Sequence, residues 1–375
     1  MTAESGYDLE REVWDLAVAD RVRAAVMGLP EEERRAIQMA YFAGRTYREV
    51  AAALGALTMP QLYTVAFAIG LATVLFDVAQ MSYVPFLVTE TRLVADPMPV
   101  TFRQVGSTDI GPKDWLEIRS MIHRIAREEP AVAGFVIPHG TATLEETSFF
   151  LNLTLATAHP VVLVGAQRPA SALGTDAGMN LVNALRVAGS SDASGKGVLV
   201  VLNDEIHAAR DVVKTSTYRV QTFRSIDFGA LGHVDGDGVH FYRIPSRTHM
   251  PDTPFAGLEL TALPRVDIIY SYAGADGALV DAAVRAGARG LVSAGFAPGS
   301  PTPEQRAAFE RAAKSGVVVV QCSRATGRVA PRRRLRESGI VAGEDFTPQK
   351  ARILLMLALS ATNDVGEVQR AFQTY

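Results

Sequence analysis

Short, almost uninterrupted runs of apolar and β-branched residues recur through the C-terminal three quarters of the chain. They occupy 134–137, 161–164, 198–202, 266–270, 291–293 and 317–320. Such runs are typical of parallel strands, because helices cover both faces of a parallel sheet. Helical patterns alternate with them, at 145–155, 178–187, 279–286, 303–313 and 348–359. The alternation predicts an α/β fold with mostly parallel sheets.

The first 55 residues are charged and have a helical pattern instead. Apolar residues recur at helical spacing over 16–26, and Gly44 ends the next helical pattern. Thr46 and Glu49 form a capping box that predicts the start of a further helix. Two short helices joined at a glycine are typical of a helix-turn-helix.

An apolar block follows, from residue 56 to about residue 94. Residues 62–76 carry no charge, and Asp77 follows them directly. About fifteen apolar positions are fewer than the twenty or so that span a bilayer. Extending the segment to Tyr83 reaches that length but buries a carboxylate, which is costly in a membrane. The pattern favours a buried or aggregation-prone helix over a transmembrane span.

The composition excludes some classes of function. A net charge of -3 over 375 residues gives no general signal for binding polyanions. The single cysteine, Cys322, cannot form an internal disulfide and follows an apolar run, so we expect a buried thiol in a reducing compartment. The acidic N-terminus lacks the basic and apolar regions of a secretory signal, which predicts a cytoplasmic location.

The most informative end of a predicted strand is the loop at 139–143. Its sequence, HGTAT, follows the apolar run 135–138, and Thr143 with Glu146 forms a predicted capping box. Hydroxyl groups at a helix start can hold a carboxylate or an oxyanion. An ordinary strand-to-helix connection explains the same residues, so the loop alone leaves both interpretations open.

This loop resembles the second signature of bacterial L-asparaginases, and the likeness continues to the C-terminus. The further segments that carry it are 164–169, 176–183, 201–205, 209–215, 228–232, 347–355 and 369–375. The resemblance covers about residues 97–375. It implies a two-domain α/β fold, active sites between subunits of a homodimer that is commonly part of a homotetramer, and no metal or organic cofactor. The implied reaction is hydrolysis of L-asparagine, often with weaker glutaminase activity, through an acyl-enzyme on a threonine.

The same resemblance assigns roles to individual residues. Thr141 matches the catalytic threonine of the second signature, and Lys214 matches the lysine that tunes it. A neighbouring amine would lower the cost of forming an alkoxide on the threonine. Arg210 and Asp211 resemble a structural acid–base pair of the family.

Ser107 matches the serine that holds the substrate's α-carboxylate, and Thr108 stands where the family often has a glutamine. Ala142, at a substrate-binding position, replaces an aspartate. In the family this carboxylate orients the lysine, completes the proton-transfer chain and helps to hold the α-amino group. Its loss would lower the rate about a hundredfold or more.

A second departure concerns the primary nucleophile, which the family carries on a Thr-Gly-Gly-Thr loop after its first strand. The sequence contains no Gly-Gly doublet, and the lid loop with its assisting tyrosine has no counterpart. The missing segment also supplies an early strand and helix. The N-terminal part of the chain would therefore have to cover the sheet edge that the missing strand exposes.

Two shorter resemblances precede residue 97. Residues 15–55 resemble region 4 of an extracytoplasmic-function sigma factor, carried by 22–25, 29–34, 40–44 and 46–51. The likeness stops where the DNA-reading helix should begin, and no lysine or arginine follows Arg48 until Arg92, which argues against DNA binding. Residues 57–94 resemble a short piece of a major facilitator transporter, which cannot form a transport path by itself.

The sequence therefore predicts four segments. They are a helical block at 1–55, an apolar helical segment at 56–96, an incomplete asparaginase N-terminal α/β domain at 97–255 and a C-terminal α/β domain at 256–375. The leading hypothesis is an L-asparaginase-type amidohydrolase that is impaired or inactive. The alternatives are a non-catalytic protein that binds asparagine or aspartate for regulation, and a non-functional chimera. Neither DNA nor a membrane is expected as a partner.

Overall fold

The computed structural model describes residues 86–89, 97–172 and 174–375. The strands are β1 Phe86–Thr89, β2 Met98–Pro99, β3 Val132–Pro138, β4 Val161–Val164, β5 Val198–Leu202, β6 Glu205–Ala208, β7 Val213–Lys214, β8 Phe223–Arg224, β9 Gly232–Asp235, β10 Gly238–Phe241, β11 Val266–Tyr270, β12 Gly290–Gly295, β13 Val318–Ser323 and β14 Ile340–Ala342. The helices are α1 Pro112–Glu128, α2 Leu144–Thr154, α3 Ala177–Ala188, α4 Ala278–Arg285, α5 Pro303–Lys314, α6 Arg333–Glu337, α7 Pro348–Ala361 and α8 Val365–Thr374. The helices predicted in residues 1–55 and the apolar segment 62–76 lie outside these ranges.

The N-terminal domain is built on a sheet of eight strands in the order β10-β9-β6-β5-β4-β3-β1-β2. Only β3, β4 and β5 are parallel to one another, and all other pairs are antiparallel. The two residues between β5 and β6, Asn203 and Asp204, have φ angles of 51° and 63°. Two central residues with positive φ make the tight hairpin turn that returns a strand antiparallel. The sheet is therefore mixed, with a parallel centre.

Strand β1 occupies the edge of β3 within the segment predicted to be an apolar helix. Phe86 lies opposite Val136 and Thr89 opposite Val132, so β1 runs antiparallel to β3. Strand β2 pairs with the other side of β1. The chain before residue 97 thus covers the sheet edge, as the sequence analysis requires, but it does so with a strand.

The C-terminal domain contains the parallel sheet β11-β12-β13-β14, as predicted. Helix α7 packs on this sheet and against α2 of the N-terminal domain. Its apolar residues from Ile353 to Leu359 are buried, and they belong to one hydrophobic core that extends over both domains. Cys322 is fully buried in the same core, which confirms the expected buried thiol.

Arg119 of α1 connects the N-terminal domain to the chain that leads into the C-terminal domain. Its buried guanidinium donates hydrogen bonds to three backbone carbonyl oxygens, those of Thr154 at 2.9 Å, Ala256 at 3.0 Å and Leu258 at 2.9 Å. Because Thr154 lies far from Ala256 and Leu258 along the chain, this one side chain holds the segment that leads into the C-terminal domain against the N-terminal domain.

No helix within the described ranges is both long enough and apolar enough to cross a bilayer.

Candidate active site

Thr141 lies in the loop between the carboxyl end of β3 and the start of α2. The neighbouring strand β4 ends beside this loop, and Gly165 follows it. A Cβ atom on Gly165 would lie 2.7 Å from the carbonyl oxygen of His139 and 3.1 Å from Cγ2 of Thr141. Because Gly165 has no side chain, the Thr141 loop can pack directly against it. The carboxyl ends of parallel strands are where α/β proteins usually bind ligands.

Lys214 reaches this loop from β7. Its Nζ donates a hydrogen bond to Oγ1 of Thr141 at 2.7 Å, so the structure brings together the two residues that the sequence pairs. Burial lowers the pKa of Lys214, while the negative charge of Glu145 acts in the opposite direction. A lowered pKa makes the neutral amine, which can accept a proton from a hydroxyl, easier to form.

Ser107 lies against the other side of the loop, in a short turn at Ser107–Asp109. Its Oγ accepts a hydrogen bond from the backbone N–H of Ala142 at 3.3 Å, and its carbonyl oxygen accepts one from the hydroxyl of Thr143 at 2.6 Å. Ala142 and the adjoining Thr108 are exposed. Ser107 and Ala142 therefore meet beside Thr141, with Thr108 next in the chain.

The capping box predicted at Thr143 does not form. The side chain of Thr143 makes no capping hydrogen bond to α2. Its hydroxyl donates to Ser107 instead, because the turn that carries Ser107 packs directly on the loop. The threonine at 143 correctly indicated a hydrogen-bonding role, but its partner is Ser107, earlier in the chain, and not the backbone of α2.

Glu145 joins Lys214 to the C-terminal domain, and sequence reasoning gave it no role. Its buried carboxylate accepts a hydrogen bond from the backbone N–H of Lys214 at 2.8 Å and another from Nε2 of Gln349 at 3.1 Å. Gln349 lies in the first turn of α7. The signal available in the sequence was a pair of glutamates at the start of α2, but nothing there distinguishes Glu145 from Glu146.

Lys350, next to Gln349, is the second residue without an assigned role. Its side chain is fully buried, and its Nζ donates to the carbonyl oxygens of Ala209, Arg210 and Val212. Burial lowers its pKa to about 8. The feature of the sequence that could have indicated this role is a lysine in the first turn of a mostly apolar helix.

Arg210 and Asp211 are in contact, as their resemblance to a structural pair suggests. Arg210 donates to Oδ1 of Asp211 at 3.2 Å and to Oδ1 of Asp345 at 2.6 Å, and a further bond reaches the carbonyl oxygen of Tyr375. The guanidinium also lies 4.4 Å from the ring centre of Phe346. This buried cluster fastens the C-terminus to the segment that precedes Lys214.

His139 begins the loop and is a structural residue. Its Nδ1 lies 2.7 Å from the carbonyl oxygen of Gly140, and its Nε2 lies 2.8 Å from Oγ1 of Thr147. A carbonyl only accepts, so Nδ1 carries the proton and Nε2 accepts from the Thr147 hydroxyl. Oγ1 of Thr147 in turn accepts from the indole of Trp115 at 3.0 Å. Burial lowers the pKa of His139 to about 4, which keeps the ring neutral.

This buried neutral histidine predicts acid sensitivity. The folded protein holds His139 at a pKa of about 4, below its ordinary value of 6.5, so the unfolded chain binds the proton more readily. The free energy of unfolding should fall by up to about 3 kcal/mol as the pH drops from 6.5 to 4. Urea unfolding at several pH values measures this slope.

His139→Gln should flatten the slope. His123→Gln is the comparison, because burial and the charges of Arg119 and Arg127 also lower the pKa of His123 to about 4. His123 is only partly buried, so its removal should flatten the slope less. Equal slopes for the parent and His139→Gln would contradict the assignment.

One group of described residues could hold a metal ion, but it lies on the β9–β10 hairpin and not on the Thr141 loop. It consists of the exposed Asp235 and Asp237 with the half-exposed His240, whose Nε2 is 3.0 Å from Asp237. The Thr141 loop itself offers hydroxyls, backbone N–H groups and a lysine amine, which suit an anionic substrate better than a cation.

Fold and site together define a two-domain α/β protein of the hydrolase type, in which a threonine hydroxyl accepts a hydrogen bond from a lysine amine. The family model "Asparaginase, N-terminal" matches residues 56–247, and "Glutaminase/Asparaginase C-terminal domain" matches residues 265–372. The chain therefore belongs to the asparaginase family. A third model, "Sigma-70, region 4", matches residues 19–56, where the sequence analysis noted this resemblance.

Three similar proteins illustrate the relationship. L-asparaginase 2 of Bacillus subtilis is 43% identical over 289 residues, which cover 77% of this chain and 76% of the relative. A probable periplasmic L-asparaginase of Haemophilus influenzae is 41% identical over 291 residues, or 77% and 82% of the two chains. The crystal structure of a probable cytoplasmic L-asparaginase from Campylobacter jejuni has 40% identity and a TM-score of 0.70, covering 72% of this chain and 87% of that one.

The asparaginase match changes the account of the apolar block. It begins at residue 56 and so includes residues 57–94, which the sequence analysis likened to a transporter fragment. The comparisons lend that likeness no support.

Proposed function

We propose that the chain hydrolyses the side-chain amide of L-asparagine to L-aspartate and ammonia, at a rate impaired because its sequence contains no Thr-Gly-Gly-Thr loop and because Ala142 replaces an aspartate. The observation that supports this most directly is the 2.7 Å contact between Nζ of Lys214 and Oγ1 of Thr141. Family membership supplies the reaction class, and this contact supplies a nucleophile with a proton acceptor on it.

In the proposed reaction, neutral Lys214 takes the proton of the Thr141 hydroxyl as Oγ1 attacks the amide carbon. The tetrahedral intermediate then collapses, the C–N bond breaks, and the lysine returns the proton to the departing ammonia. Water next attacks the threonyl ester, giving L-aspartate and the free hydroxyl. Burial of Lys214 supports its part, because burial lowers the lysine pKa towards the working pH.

Substrate binding is proposed at the outer side of the loop. The hydroxyl of Ser107, with Thr108 beside it, would receive the α-carboxylate of the substrate. Among the described residues, the hydrogen bond that the structure gives the Ser107 hydroxyl is a long one of 3.3 Å from the backbone N–H of Ala142, which a substrate carboxylate can replace. The positive charge that Lys214 carries when protonated favours the α-carboxylate of the substrate at the same place.

The rate limit is proposed to arise from a missing carboxylate. The side chain of Ala142 offers no acceptor for the lysine or for an α-ammonium group. The nearby carboxylate of Glu145 is already bonded to the backbone N–H of Lys214 and to Gln349. Thr141 and Lys214 therefore act as a pair where the family resemblance implies three residues.

We further propose that the protein works as a homodimer or homotetramer in the cytoplasm, needs no cofactor and binds neither DNA nor a membrane. The support is family resemblance for the assembly, and the lack of basic residues between Arg48 and Arg92 for the absence of DNA binding.

The test is ammonia release from L-asparagine by the purified chain, with two inactivating variants. Thr141→Val removes the nucleophile and Lys214→Met removes the proton acceptor, so each should reduce the rate at least about tenfold. Lys314→Met is the matched control, because Lys314 is an exposed lysine at the end of α5. It should retain the parent rate.

Equal rates in the parent and both inactivating variants would refute the proposal. If no ammonia is released but calorimetry shows that asparagine or aspartate binds, the non-catalytic binding hypothesis is correct instead.

A further inference from the structure

We propose that the first turn of α7, through Lys350 and Gln349, positions Lys214 on Thr141. The two residues are positioning residues: their contacts lie on the backbone around Lys214 and on Glu145. The effect on catalysis rests on the proposed function, but hydrogen exchange tests the contacts themselves even in an inactive protein.

The first contact set belongs to Lys350. Its Nζ lies 2.9 Å from the carbonyl oxygen of Ala209 and 2.8 Å from that of Arg210, and a third bond reaches the carbonyl of Val212. An ammonium group has three N–H donors, so all three are used. The segment 209–212 ends two residues before Lys214. Lys350 therefore fixes the chain just before the lysine whose amine must reach Thr141.

The second contact set belongs to Gln349. Its side-chain amide donates to one carboxylate oxygen of Glu145 at 3.1 Å, and the other oxygen accepts from the backbone N–H of Lys214 at 2.8 Å. Neighbouring residues of one helix thus reach Lys214 from two sides. Lys350 holds the segment before Lys214. Gln349 holds the Glu145 carboxylate, which accepts the hydrogen bond from the backbone N–H of Lys214.

Helix α7 is a rigid support for these contacts. The side chain of Thr347 caps its first turn by accepting from the backbone N–H of Lys350, and its following residues are buried between α2 and the sheet β11–β13. The helix lies in the range of the C-terminal family domain, whereas Lys214 and Thr141 lie in that of the N-terminal domain. The position of the active-site lysine is thereby tied to the packing of the two domains.

The charge of Lys350 is maintained by its surroundings. Burial is the largest influence and lowers the pKa of Lys350 to about 8, while the negative charges of Glu145 and Asp211 oppose this shift and Arg210 adds to it, so the ammonium form still predominates at neutral pH. A buried ammonium is costly unless hydrogen bonds satisfy it, which the three carbonyl oxygens do. Loss of the ammonium would leave those three oxygens without this donor, so the 209–212 segment would loosen.

The experiment compares Lys350→Met with Arg352→Met in the full chain by hydrogen exchange and by ammonia release. Arg352 is a fitting control because it lies on the same helix, donates to the backbone carbonyl oxygen of Val266 at 2.9 Å and pairs with Glu146 at 3.9 Å, and neither partner belongs to residues 209–215. In Lys350→Met, amide exchange over 209–215 should accelerate about tenfold, and kcat should fall about tenfold with KM little changed. In Arg352→Met, exchange over 209–215 and kcat should stay at the parent values.

Unchanged exchange over 209–215 in a folded Lys350→Met variant would refute the inference, and so would equal acceleration in Arg352→Met. If the parent releases no ammonia, the proposed function fails while the exchange comparison still decides the positioning role. If Lys350→Met does not fold, Gln349→Ala decides, because Gln349 is less buried. That variant should accelerate exchange at Lys214, and parent-like exchange there would overturn the inference.

Discussion

Replacement of Ala142 by aspartate is expected to raise kcat/KM for L-asparagine about a hundredfold, a typical contribution of one acid–base group. Ala142 follows Thr141 directly and is exposed, so a carboxylate fits there without disturbing the core. It would stand close to Lys214 and to the bound α-ammonium group. Ammonia release measures the gain, and Ala142→Asn is the matched control, with similar shape and no charge.

The same replacement should change substrate discrimination. Succinamic acid has the amide and the carboxylate of asparagine but no α-amino group. The parent should hydrolyse the two at similar kcat/KM, because Ala142 offers the ammonium no acceptor. Ala142→Asp should prefer asparagine about tenfold or more, as a charged hydrogen bond predicts. If Ala142→Asp and Ala142→Asn have equal kcat/KM for asparagine and equal preference for asparagine over succinamic acid, the missing carboxylate does not limit the rate.

Arg119→Met is expected to lower the free energy of unfolding by about 3 to 5 kcal/mol, because it leaves three buried carbonyl oxygens without their donor. The carbonyls are those of Thr154, Ala256 and Leu258. Equilibrium unfolding in urea measures the loss. Arg124→Met on the same helix is the control, since Arg124 is exposed and its ion pair with Glu128 is 3.9 Å long. It should change stability by less than about 0.5 kcal/mol, and an equal loss in both variants would contradict the role of Arg119.

The parallel strands were predictable because they are buried on both faces. The apolar runs 161–164 and 198–202 coincide with β4 and β5, whose residues are all buried. The antiparallel strands at one edge of the N-terminal sheet, β6, β9 and β10, were not predicted, because their polar residues interrupt the apolar runs. Strand β1 follows Pro85 in an apolar block, and apolar content alone does not separate a short strand from a helix.

The site was predictable only in part, for a physical reason. Thr141, Lys214 and Ser107 lie in motifs that mark their chemistry. The roles of Glu145 and Lys350 were missed because their partners lie far along the chain, and because all of them except the Gln349 side chain are backbone groups, which the residue type does not reveal. The Lys350 bonds span about 140 residues, and the Gln349–Glu145 bond spans 204.

The direction of β1 determines where the preceding chain is tethered. Phe86, its first residue, lies opposite Val136 near the carboxyl end of β3, and Thr89 lies opposite Val132 at the far end. The chain before Phe86 therefore joins the sheet on the side of the Thr141 loop, whereas a parallel β1 would have joined it on the opposite side.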